Sequence, residues 1–238
     1  MNSAGAGTLE KHDAAGSQTY VTGKIGKGLK IEHNSTHNRN AVKVGHRNCL
    51  STTNGFSVWL WVYHDADTSD CTASGVSQIL RKGSGSSFTG SGVPEWVLST
   101  AATPQCHTSS LTSVLFGVGN TSGGTETIST NPYGHTRAET QPATWSFYFM
   151  YYDPTVGSHG ATYLSSQGAD FQKTTLTVST PVTNTDDLFI GGQIAEADSY
   201  VIIDELGFCE EIGTEAEMVS RKNNLYNSGN GKSCMEWR

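Results

Sequence analysis

At 238 residues the chain could hold one or two domains, and all-β sandwiches of this length are commonly single. A net charge of −7 with no Lys/Arg cluster argues against nucleic acid as the main partner, because phosphate recognition needs a basic field. No apolar run approaches the roughly 18 residues of a spanning helix, so no membrane insertion is expected. The N-terminal MNSAGAGTLEKHDAAG lacks the basic and apolar regions of a secretory signal, and synthesis in the cytoplasm is the expectation. Charged residues make up only 16% of the chain, while Gly, Ser, Thr and Asn abound, a mixture that favours strands and turns over helices.

Residues 1–17 are small and polar and read as an arm, residues 18–229 as one domain, and residues 230–238 as a tail. Tyr20 to Ile31, YVTGKIGKGLKI, has glycines spaced as in a phosphate cradle. No helical pattern follows them, so a turn and a strand are expected. In EHNSTHNRN, residues 32–40, His33 and His37 have no third or fourth metal ligand beside them. The clearest strand is Gly55 to His64, GFSVWLWVYH. It carries Phe56, Val58, Leu60 and Val62 on one face and Ser57, Trp59, Trp61 and Tyr63 on the other. The first set is core. The second is aromatic where a half-buried strand would be polar, so it either packs beneath other parts of the protein or offers rings to a sugar or a partner.

Asp65, Asp67 and Asp70 follow in a loop that fails the EF-hand pattern, with Asp70 where Gly is needed and Val76 where Glu is needed. Further strands are expected at Ser77–Lys82, Trp96–Thr100, Leu111–Gly119, Glu126–Thr130 and residues 173–181. Thr144 to Asp153, TWSFYFMYYD, is apolar on both faces and reads as a central strand. Tyr200–Cys209 is the closing strand. Thr214 and Glu217 then form a capping box that opens a helix whose face is Met218, Arg221, Lys222, Leu225 and Tyr226, with Gly229 as the expected left-handed cap. The five cysteines, Cys49, Cys71, Cys106, Cys209 and Cys234, have no CxxC spacing, and a reduced state is the simpler reading; if one pair closes, Cys71 with Cys106 is the candidate. Asn34-Ser-Thr and Asn120-Thr-Ser match the glycosylation acceptor pattern.

Six short elements occur in an order that resembles the laminin G-like branch of the concanavalin A-like lectin/glucanase superfamily. They are G-K-I-G at 23–26, F-S-V with W-V at 56–62, I-L-R-K-G at 79–83, the Trp145 to Tyr152-Asp153 hairpin with A-T-Y-L at 161–164, L-F-I-G-G at 188–192, and I-D-E-L with Phe208 and L-Y-N at 225–227. The resemblance implies an all-β fold: a two-sheet antiparallel β-sandwich of jelly-roll type with one short C-terminal α-helix. It also implies a candidate calcium site. Asp204, between Ile203 and Leu206, either fastens a loop through backbone N–H groups or ligates Ca²⁺, with Asp13 as its expected partner because jelly-roll termini lie side by side.

Glucanases of that superfamily carry acids in an E-x-D-x-x-E arrangement on one strand, which this chain lacks, and Asp204 and Glu205 are adjacent, so their side chains should oppose. No Ser/His/Asp motif, phosphate loop or HExxH occurs either, and Cys106-His107 point apart on a strand. A non-catalytic binding or structural module is therefore expected. Trp59, Trp61 and Tyr63, with Tyr148 and Tyr152 on the neighbouring strand, are the candidate carbohydrate- or partner-binding residues. An adhesive sandwich without a signal or an enzyme domain either stays in the cytoplasm or leaves inside an assembly. The favoured setting is the surface of a phage or virus particle, with other virion proteins, itself or a cell-surface glycan as partners. The alternatives are a free-standing carbohydrate-binding module of a bacterial polysaccharide-binding system and, behind it, a divergent glycoside hydrolase.

Overall fold

The computed structural model describes residues 10–11, 18–32, 41–64, 76–83, 94–101, 112–120, 137–140, 145–176, 180–191 and 200–232. Two antiparallel sheets face each other. The first runs β1 (Glu10–Lys11), β4 (Ala41–Val44), β13 (Leu188–Gly191), β6 (Val76–Lys82), β7 (Trp96–Ala101), β8 (Thr112–Val118) and β9 (Arg137–Thr140). The second runs β12 (Gln172–Thr175), β11 (Ala161–Ser166), β10 (Trp145–Asp153), β5 (Phe56–His64), β14 (Tyr200–Glu210), β3 (Lys27–Glu32) and β2 (Gln18–Thr22). Helix α1 (Glu215–Tyr226) follows β14 directly. Part of the expected arm is thus a strand, with Glu10 opposite Lys43. The expected strand at Glu126–Thr130, the loop acids Asp65, Asp67 and Asp70, the pair His33 and His37, and Asp13, Cys71 and Cys106 lie outside the described residues.

The period of two places the core as the sequence implies. Phe56, Val58, Leu60 and Val62 meet Trp96 and Leu98 of β7 and Val114, Phe116 and Val118 of β8 between the sheets. Trp96 stacks on Phe56 at 5.0 Å, and its Nε1 donates to the Leu50 carbonyl at 2.9 Å, so the ring buries its apolar area without stranding its one donor.

A second apolar layer lies on the outer face of the second sheet. Trp59, Trp61, Phe147, Phe149, Tyr151 and Tyr163 project there, and Met218 and Leu225 of α1 cover them. Trp61 stacks on Tyr226 at 6.0 Å, and Tyr151 on Tyr163 at 4.1 Å. The helix is opened by the expected capping box, with the Thr214 side chain accepting from Glu217 N and Glu217 Oε2 accepting from Thr214 N at 2.7 Å. The helix cap itself is Asn227 (φ 46°), which tolerates the left-handed conformation and whose Nδ2 also donates to the Gly231 carbonyl; Gly229, two residues on, is left-handed as expected (φ 88°). Lys222, the polar interruption in the stripe, is 1% exposed. Its Nζ donates to the carbonyls of Gly168 (3.0 Å) and Ala169 (2.5 Å) in the β11–β12 connection. Burial pulls its pKa down, opposed by Asp170.

The register of β14 against β5 shifts between Asp204 and Gly207, and this bulge brings Gly207 under the Trp59 indole. A Cβ at position 207 would stand 2.0 Å from Trp59 Cζ2, so glycine is required by close approach. Gly207→Ala should therefore destabilise the fold by about 2 kcal/mol through overpacking. Gly45→Ala, whose added methyl meets nothing within 4 Å, is the comparison and should be near neutral in the same urea titration.

Candidate functional site

The structure encloses most of the aromatic residues singled out from the sequence. Trp59 and Trp61 are 9% and 2% exposed. Trp59 stacks on Phe149, and Trp61 is closed in by Phe147, Tyr226 and Lys24, whose Nζ lies 4.8 Å from the ring centre. Tyr148 and Tyr152 point the opposite way, into the core between the sheets, because they occupy the alternate positions on β10. Tyr152 donates to the His159 carbonyl at 2.8 Å, and burial pushes its pKa up to about 12. Tyr63 alone of the five is half-buried, tilted against Trp145 at 5.7 Å. As a ring platform for a sugar, the set is corrected: four of its members have no open face, since both sides of β5 and β10 are packed.

Asp204 is 5% exposed and sits in the bulge of β14. Its Oδ2 accepts from Ile25 N at 2.7 Å and its Oδ1 from Glu205 N at 2.8 Å, so it ties the 23–26 turn to the closing strand. This is a fastening geometry. The N–H dipoles turn their positive ends toward the carboxylate, where a cation would have to stand. Among the described residues no group of three or more His, Cys, Asp or Glu is placed to hold a metal. Desolvation raises the Asp204 pKa, and the N–H donors of Ile25 and Glu205 oppose the rise. Asn120 of the second acceptor pattern is 4% exposed and bridged to Pro181, so its amide is not presented.

An open cleft lies elsewhere, at the rim where β5 begins and β10 and β14 end. These three strands are neighbours in the sheet, with Tyr152 opposite Phe56 and Glu210 opposite Ser57, so their connecting turns converge. The cleft has a volume of about 490 Å³ and is lined by Asn54, Asp153, Thr155, Glu211 and Ile212, with Cys49, Gly55, Pro154 and Gly213 completing the wall. Gly55 has φ +73°, and a Cβ there would meet Pro154 Cδ at 2.9 Å, so its absence lets the walls approach. Asp153 accepts from Thr155 N (2.8 Å) and Thr155 Oγ1 (2.7 Å), both at Oδ1, which leaves Oδ2 to accept from a ligand. Glu211 is exposed, and its carbonyl is held by Arg221 Nη1 at 2.9 Å.

The loop that brings Cys49 and Asn54 to this cleft is anchored from beneath. Glu95, fully buried, accepts at Oε1 from Thr52 N (2.8 Å) and Ser51 Oγ (2.9 Å), and at Oε2 from Lys82 Nζ (3.1 Å). Lys82 Nζ donates also to the Asn184 carbonyl and Oδ1, so the buried pair has partners on both sides. The cleft's side chains thus offer carboxylate, amide and hydroxyl groups on a braced wall, which can accept from and donate to a hydroxyl-rich molecule. Cys49 is disulfide-bonded, in contrast to the reduced state expected from the sequence, and offers no thiol. Sequence reasoning missed this site. Its signal is turn chemistry at three strand ends, T-T-N-G, D-P-T and E-E-I-G, and nothing local says that the three turns meet.

No family model matches the chain, and no curated protein matches it. Solved structures do. The binding domain of paraclostridial mosquitocidal protein 1 aligns at TM-score 0.62 with 10% identity, covering 92% of this chain and 48% of that one. The binding domain of botulinum neurotoxin serotype G aligns at 0.60 with 10% identity, covering 92% and 47%. A structure of botulinum neurotoxin type C, whose passage into cells is described as dependent on interaction with two ganglioside molecules, aligns at 0.55 with 10% identity, covering 87% and 44%. The chain therefore spans about half the length of these neighbours, and at such identity the likeness is one of β-sandwich fold.

Asp204→Ala strands two backbone N–H groups and should cost about 2 kcal/mol at neutral pH, a fall of several degrees in Tm. Because the folded-state pKa lies above the ordinary value near 3.8, folding favours the protonated acid. Its contribution to stability falls as pH rises from that value through the raised one, and Asp204→Asn should lack this slope. Calcium and chelator should leave the melting curve unchanged; a calcium-dependent rise abolished by Asp204→Ala would restore the metal reading.

Proposed function

We propose that this chain is a non-catalytic, lectin-like binding domain of the laminin G-like, concanavalin A-like type, and that it binds a cell-surface glycan in the rim cleft. The observation that carries this reading is the lining of the cleft. Asn54, Asp153, Thr155 and Glu211 supply hydrogen-bonding groups around a volume of about 490 Å³, a size suited to a small number of sugar units. The fold-level likeness to toxin binding domains supports a binding role by analogy. The order of the six short sequence elements supports the superfamily.

The setting we favour is the outside of a cell or the surface of a virus or phage particle. The disulfide at Cys49 supports it, since such bonds persist where the medium is oxidising.

A glycan array probed with the full chain tests the reading. Wild type should retain a defined set of glycans, and Asn54→Ala combined with Glu211→Ala should weaken that binding about tenfold or more, as expected for two lost hydrogen bonds. Trp61→Phe, by contrast, should lower Tm and leave affinity unchanged. Retention of no glycan at all would sink the proposal, and loss of binding in Trp61→Phe with full retention in the cleft variant would move the site to the aromatic face.

A further inference from the structure

We propose that the rim cleft discriminates among sugars by charge, taking glycans that carry no acid group and holding those with a free amine most tightly. This rests on the glycan-binding reading above and goes one step further, to the class of sugar. Among the described residues, the two ionisable groups that line the cleft are both carboxylic, Asp153 and Glu211, while Asn54, Thr155, Pro154, Ile212 and the bonded Cys49 carry no charge.

A third acid, Glu215 in the first turn of α1, adds to the field on this side of the molecule. Burial and the neighbouring Tyr163 raise the Tyr151 pKa most, and Glu215 and Asp153 each add to the rise, so both negative charges act on one phenol two residues from the cleft. Among the described residues, Arg221 and Lys173 stand near these acids, and both keep their positive charge. Arg221 donates to the Glu211 carbonyl, and Lys173 Nζ lies 5.1 Å over the Tyr163 ring and is hydrogen-bonded to that side chain. Neither lines the cleft.

The consequence for a ligand follows from Coulomb's law. A uronate or sialate seated here would set its carboxylate against the like charges of Asp153 and Glu211, offset only in part by Arg221 at the Glu211 carbonyl, whereas an ammonium would face an excess of opposite charge. Neutral hydroxyls would use the same oxygens as hydrogen-bond acceptors without the charge term. At a solvent-open rim each carboxylate changes affinity by a few-fold, so the pair should produce about a tenfold preference, reduced by salt.

The test is a titration series on the full chain with oligosaccharides of several backbones, each in a neutral, an N-acetylated, a free-amine and an acidic form, at low salt and mildly acidic pH. The expected result is about tenfold tighter binding of the free-amine form than of its N-acetylated counterpart and about tenfold weaker binding of the acidic form than of the neutral one. The preference should shrink at high salt and in Glu211→Gln, whose exposed position leaves the fold intact. Acidic forms binding as tightly as neutral ones, or an amine that brings no advantage, would overturn the charge rule while leaving glycan binding standing. Binding of no form on any backbone would overturn the glycan reading and this inference together.

Discussion

The outer face of the second sheet carries more aromatic area than water tolerates, and its burial beneath α1 is the constraint on which the rest of the structure depends. Trp59, Trp61, Phe147, Phe149, Tyr151 and Tyr163 all project from it. Removing each such ring from water stabilises the fold by roughly 2 kcal/mol or more, so leaving the face open would cost a sum comparable to the whole stability of a domain. The helix must therefore return across the sheet, and the features around it serve that return. The bulge in β14 lets Trp59 lie over Gly207, the Asp204 carboxylate fastens the bulged strand to the 23–26 turn, and Lys222 reaches beneath the helix to the carbonyls of Gly168 and Ala169.

That packing bears on where binding can occur. With both faces of β5 and β10 filled, the centre of this sheet has no surface to offer, and its accessible chemistry moves to the strand ends. At the rim, three adjacent strands stop in turns that need Gly, Pro, Asn and Asp for backbone reasons, and the polar ones among them are suited to holding a sugar hydroxyl. The buried Lys82–Glu95 pair makes one of those turns firm. A charge pair of this kind is a poor source of net stability, but a braced loop loses less entropy when a ligand settles on it.

Much of this was legible from residue pattern. Alternation along GFSVWLWVYH and TWSFYFMYYD announced strands apolar on both faces, and Thr214 with Glu217 marked the start of the helix, because these are local rules of period and capping. The aromatic face itself was visible. Whether it was covered was not, since that depends on where a helix more than 150 residues later in the chain from β5 comes to rest. The same limit hid the purpose of Lys222, which reads as a flaw in an apolar stripe until the carbonyls of a distant connection appear beneath it.

The sequence by itself determined the sandwich class, the central strands, the single capped helix, the core face of β5 and the lack of an acid arrangement for glycoside cleavage. Each of these is a matter of spacing within a few residues or of composition. Only the tertiary structure decided that Tyr148 and Tyr152 lie on the side opposite Trp59 and Trp61, that Asp204 is a fastening, and that Asn54, Asp153, Thr155 and Glu211 share a cleft. Those outcomes depend on strand pairing and helix return across separations of up to 179 residues, and periodicity carries no information about which distant segments meet.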